Sequence, residues 1–146
     1  MAKFSTGLRN AMLGSQSFRD SLNGSELRIY SGPVPSTADD AVGAATLLIT
    51  VTVDGTGGGL TFSDTPENGA ISKTSSEVWK GTISNTGNAT WFRLTAASDT
   101  GASSQTAYRV QGNIGVAGTD MIVANPLLTE TEEFVLNYFA VALPTL

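Results

Sequence analysis

From residue 26 onward, hydrophobic positions recur with a period of two. In AATLLITVTVD (44–54), Leu47, Ile49, Val51 and Val53 fall on one side and Leu48, Thr50 and Thr52 on the other, the alternation of a half-buried strand. ELRIYS (26–31) reads as a strand stopped by Gly32-Pro33 and Pro35, and LTFS (60–63) as a short one. EVWKGTIS (77–84) carries Trp79 and Ile83 on one side. The turn-forming run Asn85-Thr86-Gly87-Asn88 then predicts ATWFRLTAA (89–97) as its hairpin partner. QTAYRVQGNI (105–114) and TDMIVAN (119–125) follow. EEFVLNYFAVALP (132–144) is apolar on both faces, which predicts a central strand or one covered on both sides. About eight short strands joined by Gly, Asn, Asp and Pro turns indicate an all-β fold: an antiparallel β-sandwich, jelly-roll or immunoglobulin-like, with a closed barrel as the alternative.

The first 25 residues break this pattern. Leu8 and Met12 lie four apart, on one helical face, with Ser5 or Thr6 as cap and Gly14 suited to the C-terminal end. Ser15 or Ser17 can cap a second short turn with Phe18 and Leu22, ended by Asn23-Gly24. Helices this short need a surface to lie on, supplied either by the body of the domain or by a neighbouring subunit. The chain thus divides into a helical N-terminal arm (1–25) and a β-sandwich (26–146).

Charge sharpens that division. Of 146 residues only 14% are charged, whereas 15 are Ser and 19 are Thr, so polarity here is mostly hydroxyl. Residues 1–28 hold Lys3, Arg9, Arg19 and Arg28 against Asp20 and Glu26, while the rest is strongly acidic and the whole carries −5. A basic arm and an acidic body can associate head to tail between identical subunits. The acidic balance argues against nucleic acid as a partner. No apolar run approaches the roughly 20 residues of a membrane helix, and the N-terminus lacks a signal-peptide core, so a soluble protein made without secretory targeting is expected.

Candidate chemistry is sparse. Without Cys or His there is no thiolate, no disulfide and no imidazole base or ligand. KTSS (73–76) reads as a turn before it reads as Ser-Lys chemistry. Asp39-Asp40, Asp64 with Glu67, and Glu130, Glu132 and Glu133 are the carboxylate pairs available for glycoside hydrolysis, and solvated acidic loops account for them. Asp54-Gly55 and Asp99-Thr100-Gly101 are turn formers rather than a calcium loop, and Gly57-Gly58-Gly59 lacks the lysine and helix of a phosphate loop. No enzyme, cofactor or metal is expected. A glycan-binding module remains as an alternative, provided that Trp or Tyr lines an exposed groove.

Several segments together resemble a family of small tailed-bacteriophage virion structural proteins. They are KFSTGLRNAMLGSQSFRDSL with LRIYSGPVPSTADDAV, then EVWKGTISNTGNATWFRL, GNIGVAGTDMIV, and the last strand ending in Leu143-Pro144. The resemblance spans nearly the whole chain and implies a β-sandwich component of a phage particle. It would be made in the bacterial cytoplasm and located in the virion. Such a component is a capsid decoration or cement protein, or a neck, collar or tail component. The implied partners are the major capsid protein or neck and tail proteins, with self-association as a trimer or ring.

For partner contact, the arm supplies Phe4, Leu8, Arg9, Met12, Leu13, Phe18 and Arg19. The polar loop after the first strand supplies Pro33, Pro35, Asp39 and Asp40, at a sheet end where binding loops tend to sit.

Overall fold

The computed structural model describes residues 1–145. Two helices and a set of short strands follow in this order: β1 (Lys3–Phe4), α1 (Thr6–Leu13), α2 (Phe18–Leu22), β2 (Ser25–Ser31), β3 (Thr46–Val53), β4 (Ala70–Ser72), β5 (Trp79–Thr82), β6 (Gly87–Asn88), β7 (Trp91–Ala96), β8 (Arg109–Gly115), β9 (Met121–Ile122), β10 (Leu127–Leu128), β11 (Glu133–Leu136) and β12 (Ala140–Ala142). The fold is an all-β, predominantly antiparallel sandwich. Its large sheet runs β1-β8-β7-β2-β3-β5-β11, with β9 alongside β8 in parallel; β4 with β12 and β6 with β10 form two smaller ladders.

Strand register assigns the two faces of the large sheet. Leu27, Leu94 and Val110 lie in one cross-strand row, and Ile29, Phe92 and Gly112 in the next. This face is covered by α1, α2, the bridge at Phe62 and the β4–β12 ladder, whose Leu8, Leu22, Phe62, Ile71 and Val141 join the same core. Aromatic rings connect the layers: Phe62 meets Trp79 at 5.6 Å, and Phe139 meets Phe92 at 5.8 Å.

The N-terminal segment lies on the body of its own domain, one of the two surfaces its short helices left open. Leu8 is 0% exposed and β1 pairs with β8. Gly7 explains the close fit: a Cβ there would stand 2.4 Å from the Thr106 carbonyl oxygen, so α1 seats against that backbone only without a side chain. Its ends are made as the residue types predict. The Ser5 hydroxyl accepts from Leu8 N–H, Gly14 closes α1, and Ser17 with Asp20 forms a capping box on α2.

Three strand expectations are corrected. β5 and β7 are not a hairpin: β5 pairs with β3 and β11, β7 with β2 and β8, and Gly87–Asn88 between them pairs with Leu127–Leu128. The period of two in β3 is interrupted where its pairing with β2 shifts between Ile29 and Tyr30. Leu48 is the extra residue there, so Leu48 and Ile49 are both buried. The last apolar stretch is not one central strand. β11 pairs with β5 at the end of the sheet, the chain turns through Asn137 and Tyr138, and β12 pairs with β4. Its two apolar faces reflect a change of sheet rather than a covered strand.

Candidate functional site

The opposite face of the large sheet is largely polar and mostly buried, with Asn113 exposed at its margin. Its rows are Glu26, Thr95 and Arg109; Arg28, Arg93 and Gln111; and Tyr30, Trp91 and Asn113. Two loops close over it, 32–45 and 97–108, and side chains beneath hold their backbones. Arg109 donates to the carbonyls of Ala38 and Ala102 and forms a two-pronged ion pair with Asp99, at 2.6 and 2.8 Å. Gln111 donates to the Pro35 carbonyl, and Arg93 donates to that of Asp40. Burial alone would raise the Asp99 pKa; hydrogen bonds from Arg109, Thr95 and the Gly101 N–H overcome it and hold the carboxyl well below the usual range.

The two sets of residues expected to contact partners meet at one corner of this layer. Asp39 accepts from Thr6 N–H (2.8 Å) and the Thr6 hydroxyl (2.6 Å), which completes the start of α1 and lowers the Asp39 pKa through that hydroxyl bond first. Lys3 donates to the Ser36 carbonyl, and Ser5 joins Arg109 N–H to the Ala107 carbonyl. Asp40 turns back to Thr37 within its own loop. Pro33 is exposed; Pro35 is half-buried with its carbonyl engaged. These contacts tie the loop to its own domain.

The arm residues separate in the same way. Leu8 lies in the core and is unavailable to a partner. Arg19 pairs with Asp64 and donates to the Phe62 carbonyl, and Arg9 donates to the Thr6 hydroxyl. All eight Lys and Arg side chains of the protein reach an acceptor within the chain. The cations expected to bind an acidic neighbour are thus engaged internally. Leu13, by contrast, is 87% exposed.

Phe4, Met12 and Phe18 pack partly on the core, yet they also border open surface beside β12. Phe4 and Arg9 face Val141 and Leu143 across a groove of about 520 Å³. Met12, Phe18 and Arg19 face the same two residues across another of about 510 Å³. A third groove, about 610 Å³, lies between β9 and the β11–β12 connection, where Ile122, Val135 and Tyr138 are exposed. Sequence reading missed these last three side chains; their signal was the two-sided apolar character of the final stretch and of MIV. The surface around β12 is thus an apolar corner indented by three grooves.

The charged groups singled out as candidate chemistry are largely engaged within the chain. The acids nearest to basic groups are paired: Asp64 with Arg19, Asp99 with Arg109, Glu133 with Lys80. Lys73 of KTSS donates to the carbonyls of Thr74 and Glu77. Trp79 and Trp91 are both buried, which leaves the glycan-binding reading without its tryptophan platform. No protein family, curated protein or solved structure matches the chain.

Proposed function

We propose that this protein is a structural component of a bacteriophage virion, a capsid decoration or cement protein that bridges capsid subunits as a trimer or ring. The observation that carries the reading is the apolar corner around β12. Tyr138 and Leu143 stand exposed there, beside grooves walled by the N-terminal segment and by β9, and Leu13 is exposed at the end of α1. Apolar side chains at such a rim gain roughly 25 cal/mol for each Å² they bury on docking. The loops and helices around them are already ordered by internal hydrogen bonds, so little chain entropy is lost on assembly. Contacts of modest strength suffice when repeated over a lattice. The resemblance of the N-terminal, WKG and WFR segments to small phage virion proteins supports the same reading.

The test is the number of copies per particle, by quantitative mass spectrometry of purified virions, with the nearest neighbour identified by cross-linking. Hundreds of copies against the major capsid protein are expected. A dozen copies or fewer would replace decoration by a neck, collar or tail position, and absence from the particle would end the virion reading.

A further inference from the structure

Arg93 leaves the polar layer with a cation that makes no direct ion pair among the described residues. It is 1% exposed, and its Nη2 donates to two neutral acceptors, the Asp40 carbonyl (3.1 Å) and the Gln111 side-chain oxygen (2.6 Å). Its Nε and Nη1 have no acceptor among the described residues, and neither does the indole Nε1 of the fully buried Trp91. The two side chains are neighbours. They stand two residues apart on β7, and the guanidinium lies over the indole with its carbon 5.3 Å from the ring centre.

The carboxylates around Arg93 are bonded to other groups, and Asp99 and Asp40 act on it only through space. Asp99 pairs with Arg109, Glu26 pairs with Arg28, and Asp40 caps Thr37. Burial, and then the charge on Arg109, bring the Arg93 pKa down to about 10, which still leaves it protonated at neutral pH. A buried charge without a counter-charge in contact is costly, and unmade N–H bonds add to the cost. Water can accept from an N–H but leaves the charge. Arg93 and Trp91 line none of the three grooves around β12, so a ligand at their free donors would lie inside the polar layer, which favours a compact one over a polyatomic oxyanion or a partner's carboxylate. What fits is a compact acceptor that also carries negative charge.

We propose that the polar layer binds a small monovalent anion of the halide class beneath the 32–45 loop, held by the free donors of Arg93 and Trp91. The ion would act as an internal fastener for that loop, independently of what the apolar corner docks against.

The test compares thermal unfolding of the full chain in sodium chloride, sodium bromide and sodium gluconate at equal ionic strength. Chloride and bromide should raise the midpoint above gluconate, by about 3–5 °C for each tenfold rise in halide beyond saturation. Arg93→Met should abolish that increment. Should Arg93→Met fail to fold, Trp91→Phe keeps the aromatic stack on Tyr30 (ring centres 4.2 Å apart in the native pair) and should reduce the halide dependence. Crystals grown in bromide should show an anomalous peak beside the Arg93 guanidinium. Equal midpoints in chloride and gluconate would overturn the proposal, as would bromide crystals with no peak at Arg93.

Discussion

The two faces of the large sheet are both buried, but by opposite chemistries. On one, Leu27, Ile29, Phe92, Leu94 and Val110 meet helices and a second ladder through apolar contact. On the other, Arg28, Arg93, Arg109 and Gln111 meet loop carbonyls and Asp99 through directed hydrogen bonds. The apolar face can shift slightly and keep most of its contact energy, since dispersion and hydrophobic burial are not directional. The polar face loses much of its stabilisation once a donor or acceptor is left unmade. The difference teaches where each kind of order comes from: the apolar layer holds the N-terminal helices, and the polar layer fixes the loops.

The largest break follows from removing a whole layer. Deleting residues 1–24 takes away β1, α1, α2 and the buried Leu8 and Leu22. The truncated chain should show no cooperative unfolding by circular dichroism. A sharp transition near that of the intact protein would show that the N-terminal segment is dispensable for folding. The next break is on the polar face. Asp99→Asn leaves Arg109 without its counter-charge in a buried position and should cost about 3–5 kcal/mol in urea unfolding. Adding Arg109→Met to it should cost clearly less than the two single changes together. Additive costs would mean that the pair is not the fastener of the 97–108 loop.

Acid separates the faces without removing atoms. The folded Asp99 pKa lies below its unfolded value of about 4, so its contribution is fully present above that pH and is lost as pH falls toward the folded value. Stability should therefore decline below about pH 4. In Asp99→Asn that share of the slope should vanish. Leu94→Ala, a cavity on the apolar face costing about 2–5 kcal/mol, should lower stability at every pH and keep the native slope. Identical slopes in all three proteins would show that Asp99 titrates alike in folded and unfolded chains.

Local chemistry made part of this legible. Ser5, Gly14 and Ser17 announce helix ends because capping is satisfied within a few residues, and the alternation in 44–54 announces β3. The polar layer was not legible. Alternation tells which side chains share a face, but not whether that face is wet. Arg93 and Arg109 are dry because loops some 50 and 70 residues away along the chain close over them. The bulge at Leu48 and the pairing of Gly87–Asn88 with β10 likewise depend on partner strands outside their own segment. At the candidate site, Met12 and Phe18 were visible as part of an apolar helical stripe, whereas Val135 and Tyr138 were hidden in a stretch read as a single strand.

The smallest effect on stability should come from Leu13, and it sharpens the comparison most where function is concerned. Its side chain ends α1 and is 87% exposed, so Leu13→Glu removes little buried area and should shift unfolding by no more than about 0.5 kcal/mol. If the docking surface extends over the end of α1, a charge there must be desolvated on docking, and incorporation into particles should fall although the fold is intact. Thr56→Glu, which adds the same charge at an exposed turn between β3 and β4, is the matched control and should be incorporated normally. Equal incorporation of both variants, counted in purified particles, would move the docking surface away from the end of α1 and toward Ile122, Val135 and Tyr138.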